Sequence, residues 1–420
     1  MKLTNEIIKQ LSLMLIAASL LSMAPGSPAY AAGTNHTVAV GKRPAVACHG
    51  STQIFAVFEG HENGAKLTDI FFSHSTDGGA NWSSPKDISK TPGDSEHPQI
   101  AVEKSGAIDV VWTDGSDPKS PDIYFSRSTD GGQTWTASMD ISHTPGVSTE
   151  PALAIGQNDS IHVVWSDTSK GEKNRDIYYV CSKDGGKTWA KDPLLPAVDI
   201  SNTSGISSEP TIAVGSEGIV HVAWADTTSG EAHPDIYYAR YENGSWSKAI
   251  DVSKSVNIST HPTIACEKEK VFLAWSDNSR KVQAPDIWLD LGGKSGKFSK
   301  PINISNTPGV SSDPIATAFN GQFALVWSDT STGSKTPCIY TRISPDAGGD
   351  FTSVINVSNT HDAAKHPHAT IAGGKMFVIW EDVAGDQSTI KLTSMDLKGL
   401  ATGPALDVDP SIRGVSGNMH

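Results

Sequence analysis

The chain has 420 residues, with 38 Gly, 24 Pro and 11 Trp, and its formal net charge is −13 at pH 7. An acidic surface argues against nucleic acid and against anionic membrane as partners. Abundant Gly, Pro and aromatic residues are typical of many short strands joined by tight turns.

The first 31 residues have the pattern of a secretory signal peptide. Lys2 and Lys9 form a basic start, an apolar run covers 11–23, and Ala29-Tyr30-Ala31 fits a small-residue cleavage site. The run is short for a bilayer span, and an uncleaved anchor is the alternative interpretation. We expect cleavage after Ala31, a secreted or periplasmic protein, and no membrane contact once the leader is removed.

The rest of the chain repeats one pattern seven times. Each copy begins with a proline ahead of a short apolar run: Pro44, Pro98, Pro151, Pro210, Pro262, Pro314 and Pro367. The steps between these prolines are 52 to 59 residues. A period of this size is typical of solenoids, arrays and propellers.

The third copy predicts four short strands, at 151–155, 161–167, 176–181 and around 198–201. Four antiparallel strands with short connections form a propeller blade. The sequence therefore predicts an all-β fold, a seven-bladed β-propeller with four antiparallel strands per blade, over 32–410, followed by a tail at 411–420. Residues 35–43 align with the linkers of other copies, and the seventh copy's fourth strand falls near 406–408. We therefore expect blades one and seven to meet by simple contact.

Two further patterns recur at fixed positions. The second strand ends in Trp-x-Asp in six copies, with the carboxylates Asp114, Asp167, Asp226, Asp277, Asp329 and Asp382. Six-fold repetition favours turn capping by these aspartates and core packing by the tryptophans. The four cysteines lie in copies one, three, five and six. Cys48 and Cys266 lie on inner strands, whereas Cys181 ends a third strand and Cys338 begins one, and blades that are not neighbours cannot bring cysteines within bonding range. We therefore expect four buried thiols and no disulfide.

The turn after the third strand reads Ser-x-Asp-x-Gly-x-x-aromatic. Four copies carry it in full, with the aspartates Asp77, Asp130, Asp184 and Asp346. An Asp side chain accepts backbone N–H bonds in such a turn, and Gly permits positive φ. These residues resemble the Asp-box, or BNR, repeat of the sialidase-like propeller superfamily. The resemblance implies a structural role for these aspartates, on the face away from the active site.

That superfamily includes sialidases, other glycosidases, lectins and non-enzymatic scaffolds, so the resemblance implies the fold and not the activity. Its sialidases clamp the substrate carboxylate with three arginines, and here Arg43, Arg175 and Arg280 are the candidates for that clamp. Arg43 directly precedes its proline, which departs from the sialidase pattern. The resemblance assigns no catalytic residue in this chain.

The residue before each repeat proline is titratable in every copy, and we call this set the mouth ring. It consists of Arg43, His97, Glu150, Glu209, His261, Asp313 and His366. In a propeller these residues should lie at the entrance of the axial channel. A polar ligand site is one interpretation, and a solvated funnel of ion pairs is the other. One group per blade is too dispersed for a single ion, so we predict no metal, and nothing implies a cofactor.

The leading interpretation is an exported propeller that binds a glycan or another polar small ligand at the channel mouth. A protein surface is a further partner to consider. Two alternatives stay open, an exo-glycosidase of the sialidase class and a non-enzymatic protein-interaction scaffold. Whether the protein is an enzyme is not decided by the sequence.

Overall fold

The computed structural model describes residues 33–62, 65–171, 173–189, 197–230, 233–279, 284–331 and 336–400. All regular secondary structure in these residues is β-strand, arranged in seven antiparallel sheets. This confirms the predicted seven-bladed propeller. The leader at 1–31, the segment near 406–408 and the tail at 411–420 lie outside the described residues, so the boundaries of the leader and the tail stay predictions.

The strands follow the repeat. Blade one has β2 (Lys42–His49), β3 (Gln53–Gly60), β4 (Asp69–Ser75) and β5 (Lys86–Asp87). Blade two has β6 (Ser95–Val102), β7 (Ile108–Asp114), β8 (Asp122–Ser128) and β9 (Met139–Asp140). Blade three has β10 (Ser148–Ile155), β11 (Ile161–Asp167), β12 (Asp176–Ser182) and β13 (Val198–Asp199). Blade four has β14 (Ser207–Val214), β15 (Val220–Asp226), β16 (Asp235–Glu242), β17 (Ser245–Trp246) and β18 (Ile250–Asp251).

The remaining blades repeat this order. Blade five has β19 (Ser259–Glu267), β20 (Lys270–Asp277), β21 (Asp286–Gly293) and β22 (Ile302–Asn303). Blade six has β23 (Ser311–Phe319), β24 (Gln322–Asp329), β25 (Cys338–Ser344) and β26 (Ile355–Asn356). Blade seven has β27 (Ala363–Ala372), β28 (Lys375–Ala384) and β29 (Gln387–Asp396), and its fourth strand is β1 (His36–Val40).

The last of these strands corrects the predicted closure of the ring. β1 pairs antiparallel with β29, from His36 opposite Leu392 to Val40 opposite Thr389. Blade seven is therefore completed by the N-terminal end of the described chain, and the expected simple contact between blades one and seven is wrong. Val38 and Ala39 are buried in the core cluster between these two blades. Burial of that apolar pair is what makes the segment a strand and not a linker.

The blades pack face to face around the ring. The inner strands β2, β6, β10, β14, β19, β23 and β27 each contact the next, and β27 contacts β2. Between the sheets lie the tryptophans of the Trp-x-Asp pattern, which are all fully buried: Trp112, Trp165, Trp224, Trp275, Trp327 and Trp380. These rings are core residues and are not available to a ligand. All four cysteines are free thiols, with Cys338 buried and the other three partly buried.

Candidate functional site

Every inner strand is interrupted at its mouth-ring residue. In blade three the register runs from Thr149 opposite Ser166 to Ala152 opposite Val164, so the inner strand carries one extra residue. The same shift occurs in all seven blades. This is a β-bulge, and proline favours it because proline cannot donate to the ladder.

The bulge forces an uncommon backbone conformation on the mouth ring. All seven residues are left-handed, with φ between 42° and 57°. For side chains other than Gly this costs on the order of 1 kcal/mol or more per residue. Such strain persists only where the surroundings fix it, and here it holds a titratable side chain at the start of every inner strand. The sequence indicated these side chains but not the strained backbone beneath them.

Mouth-ring residues of neighbouring blades contact each other across blades three to six, which we call the far arc. Glu150 Oε2 accepts the backbone N–H of Glu209 at 2.9 Å. Glu209 Oε2 in turn accepts the N–H of His261 at 2.6 Å. The imidazole Nε2 of His261 lies 3.5 Å from Glu209 Oε1 and 3.8 Å from Asp313 Oδ1. The structure therefore brings these four predicted residues together as a row of neighbouring side chains, in which His261 lies between the carboxylates of Glu209 and Asp313.

A different arrangement occupies the place where blades seven and one meet, which we call the seam. Two buried carboxylates reach the ring there from the middle strands, Glu59 of β3 and Glu381 of β28. Glu59 Oε1 lies 3.2 Å from Arg43 Nη1 and accepts the N–H of His97 at 2.9 Å. Glu381 Oε2 lies 2.9 Å from His366 Nδ1 and accepts the N–H of Arg43 at 3.4 Å. Arg43, His97 and His366 therefore belong to one cluster.

Sequence reasoning missed the two glutamates, although a signal was present. Glu381 occupies the middle position of Trp-x-Asp, and Glu59 occupies the equivalent position of Phe58-Glu59-Gly60 in blade one. This position is small in the five other blades: Thr113, Ser166, Ala225, Ser276 and Ser328. Each glutamate also lies directly opposite a lysine on the inner strand, Lys42 for Glu59 and Lys365 for Glu381. The two blades thus depart from the repeat by the same paired replacement.

Burial and charge set the ionisation of the seam. Burial lowers the pKa of His97, and the neighbouring Arg43 guanidinium lowers it further. Burial opposes ionisation of Glu381, but hydrogen bonds from His366 and Ser388 outweigh it and hold the pKa of Glu381 below its usual range. Glu381 is therefore an anion at neutral pH and acts as an acceptor.

The structure places two of the three arginines of the predicted clamp. Arg43 lies at the seam, where Glu59 already engages it. Arg175 precedes β12 in blade three, and its carbonyl oxygen accepts the N–H of Ser207 from blade four at 2.8 Å. Arg280 lies outside the described residues. The clamp therefore stays a prediction.

The Asp-box aspartates lie at the other end of the sheets. In blade one, Asp77 Oδ1 accepts the N–H of Asn81 at 2.9 Å, and the Gly78 N–H donates to Thr52 in the turn after β2. Hydrogen bonds, first of all the one from the Asn81 backbone, lower the pKa of Asp77 to about 2. Asp130 and Asp184 make the same turn bonds, and Asp346 makes a closely similar set. These carboxylates cap turns far from the mouth ring.

The Trp-x-Asp aspartates are also engaged in local bonds. Asp114 Oδ2 accepts from the Trp112 indole, Thr91 and Ser95, and Asp114 Oδ1 accepts the N–H of Ser116. Among the residues that the structure describes, no group of three or more His, Cys, Asp or Glu side chains is placed to hold a metal ion. The same residues contain no helix with the length and hydropathy of a membrane span.

Comparison with known proteins identifies the repeat and the fold. Residues 151–255 match a family of BNR repeat-containing proteins. No curated protein sequence matches the chain. A protein of unknown function from Dyadobacter fermentans is 14% identical, with a TM-score of 0.53 over 88% of this chain and 100% of that one.

Two enzymes of known structure have a similar fold. The Hadza microbial sialidase Hz136 is 14% identical, with a TM-score of 0.50 over 80% of this chain and 75% of that one. The polysaccharide lyase Uly1 is 11% identical, with a TM-score of 0.57 over 90% of this chain and 94% of that one. At this identity the likeness concerns the fold, and the chemistry has to be argued from the residues of the mouth ring.

Proposed function

For this seven-bladed BNR-repeat propeller of sialidase-like fold, we propose an exported protein that binds a glycan or another polar ligand at the mouth ring. One observation carries the proposal. All seven blades hold a titratable side chain on a strained bulge at the same end of the ring, and these side chains include Arg, His, Glu and Asp. Strain of this kind clusters at ligand sites because binding requires pre-positioned groups.

The chemistry of the far arc suits hydroxyl groups. Glu150, Glu209 and Asp313 supply carboxylate oxygens, and His261 supplies an imidazole. The side chains of Glu209, His261 and Asp313 are about one third to one half exposed. Charge-assisted hydrogen bonds from hydroxyl donors to carboxylates are stronger than neutral ones. A sugar presents several such donors on a rigid ring. The two enzymes with a similar fold are named as a sialidase and a polysaccharide lyase, which supports a glycan ligand by analogy.

Binding is tested with a glycan array followed by titration calorimetry. We expect at least one glycan to bind, and the double substitution Glu150→Gln with Glu209→Gln to weaken it about tenfold or more, because two charged acceptors become neutral. Glu217→Gln is the matched control, since Glu217 lies in the turn between β14 and β15, away from the ring. Equal affinity of the double variant and the control would place the ligand elsewhere.

Export is tested separately, by expressing the full chain in a bacterial host and sequencing the N-terminus of the exported product. The basic start and apolar run at residues 1–31 support cleavage after Ala31. A mature N-terminus at Ala32 in the periplasm or medium is the expected result. An intact leader on a membrane-bound product would favour the anchor interpretation.

A second candidate, an exo-glycosidase, is favoured by the buried carboxylates Glu59 and Glu381 on either side of Arg43. Most glycosidases use two carboxyl groups, one of which must donate a proton. A panel of fluorogenic glycosides tests this, with Glu59→Gln expected to abolish any turnover. If neither binding nor turnover is found, the third candidate, a protein-interaction scaffold, gains support.

A further inference from the structure

The seam contains a histidine held by a buried carboxylate. His366 Nδ1 lies 2.9 Å from Glu381 Oε2, and the side chains are 44% and 7% exposed, respectively. The hydrogen bond fixes the tautomer: Nδ1 carries the proton, and Nε2 keeps its lone pair. The exposed imidazole is thereby oriented to act as a base.

Glu381 is itself fixed from two other sides. Ser388 Oγ donates to its Oε1 at 2.8 Å, and the backbone N–H of Arg43 donates to its Oε2. The propeller does not need a glutamate here, because five blades fold with Thr, Ser or Ala at this position. A buried carboxylate that is fixed by several hydrogen bonds and contacts an exposed imidazole is the arrangement that orients a general base.

Arg43 adds a cation next to this pair. Its side chain is 41% exposed, and Glu59, which is itself buried, holds the guanidinium through Nη1. Because the N–H of Arg43 and the imidazole of His366 share Glu381, the two residues lie side by side. A guanidinium with remaining donors pairs well with a carboxylate on a ligand.

We propose that the seam cleaves a uronic acid-containing polysaccharide by β-elimination, which rests on the proposed glycan binding at the mouth ring. Arg43 pairs with the uronate carboxylate and makes the adjacent C–H more acidic. His366 Nε2 removes that proton. The C–H electron pair becomes a C=C bond while the C–O bond at the next carbon breaks.

The proton balance closes on the same histidine. Protonated His366 returns the proton to the departing glycosidic oxygen. In total one C–H and one C–O bond break, and one C=C and one O–H bond form. The step needs no oxidant, reductant or water. Glu381 stabilises the imidazolium between the two transfers and is a positioning residue, as is Ser388.

The test uses the mature full chain with polygalacturonate, alginate and hyaluronan as acidic probes and dextran as the neutral one. Ultraviolet absorbance reports the new C=C bond, and a reducing-end assay reports any cleavage. We expect unsaturated product from at least one acidic probe and none from dextran. His366→Ala should lower kcat about 100-fold or more with little change in Kd, since a general base contributes that much to rate.

Two variants separate catalysis from structure. Added imidazole should restore part of the activity of His366→Ala, which a purely structural histidine would not allow. His49→Ala is the matched control, because His49 is an exposed histidine at the other end of β2, away from the mouth ring, and its Nδ1 lies 3.0 Å from Gln53 Oε1. Its activity should stay within a few-fold of the parent, and thermal unfolding should show that both variants are folded.

The outcomes are distinguishable. Saturated fragments alone would replace elimination by hydrolysis and overturn this proposal. Binding of the acidic probes without any cleavage would overturn it while leaving the proposed glycan binding intact. If none of the probes binds or is cleaved, while the glycan array detects another ligand, the proposal fails and the binding function stands. If the array is also negative, both fail.

Discussion

The seam and the far arc solve one backbone problem in two ways. At each bulge the N–H of a mouth-ring residue has lost its strand partner and needs an acceptor. In the far arc the acceptor is the mouth-ring residue of the preceding blade, as for Glu150 and Glu209. At the seam it is a buried glutamate of the middle strand, as for Glu59 and Glu381.

The difference determines the charge of the mouth. Where the ring residue is the acceptor it carries a carboxylate, as Glu150 and Glu209 do, so three of the four far-arc residues are acidic. Where the middle strand supplies the acceptor, the ring position is free to be Arg43 or His366. Every blade therefore needs an acceptor for the N–H at its bulge. Whether that acceptor comes from the ring or from the middle strand gives the far arc and the seam different side chains.

The largest expected effect concerns the strand that closes the seam. The far arc is joined by continuous chain, but blade seven depends on β1 from the other end of the repeat array. Val38 is 7% exposed in the core cluster and Val40 is 65% exposed on the same strand. Val38→Asp should cost on the order of 5 kcal/mol, because it removes an apolar contact and buries a charge.

Val40→Asp is the matched control and should change the free energy of unfolding by less than about 0.5 kcal/mol. Both are measured by chemical denaturation of the mature protein. Equal, small effects would mean that the contact between β27 and β2 closes the ring without β1.

The fold was predictable from sequence because each blade is local: its strands and turns recur every 52 to 59 residues. The pairing of β1 with β29 was not, because it joins His36 to Leu392 across the whole array. Nothing in the five residues of β1 resembles the fourth strands of other blades. Only the apolar pair Val38 and Ala39, which is buried, hinted at a strand.

The candidate site was predictable only in part, for a similar reason. Titratable residues before the prolines are visible by aligning the copies. Their left-handed backbone is not, because Glu and His rarely adopt it and the bulge arises from pairing with the next strand. Glu59 and Glu381 could have been recognised by their departure from a small residue, but their contacts depend on how the ring closes.

A smaller effect distinguishes the two kinds of acceptor. Glu59→Ala should cost about 2–3 kcal/mol, because it leaves the N–H of His97 buried without a partner and removes the support of Arg43. Glu209→Ala should cost about 1 kcal/mol, since its side chain is 31% exposed and water can replace it at His261. Denaturation of the two variants in parallel measures this difference. Equal losses in the free energy of unfolding would mean that a buried acceptor stabilises the fold no more than an exposed one.

The smallest effect concerns pH at a second row of bonds between blades. One residue past the proline, Thr211 and Thr263 accept the backbone N–H of Ile264 and Ala316 in the far arc. At the seam the N–H of Val46 donates instead to His368 Nδ1. A threonine hydroxyl does not titrate in this range, whereas a protonated imidazole can no longer accept a hydrogen bond.

Burial lowers the pKa of His368 to about 4, so its neutral form is stabilised by folding. The unfolded pKa is about 6.5. The folded pKa is the lower one, so this stability is fully present above pH 6.5 and is lost as the pH falls towards 4. The loss should be about 3 kcal/mol, since one pKa unit corresponds to about 1.4 kcal/mol. His368→Thr should remove it by giving the seam the bond of the far arc. Burial also lowers the pKa values of His162 and His221 to about 4. The comparison is therefore between parent and variant across the same pH range. Hydrogen exchange, corrected for its intrinsic pH dependence, should show faster opening of β1 and β2 at low pH in the parent only. The same response to acid in both proteins would mean that His368 does not control the stability of the seam.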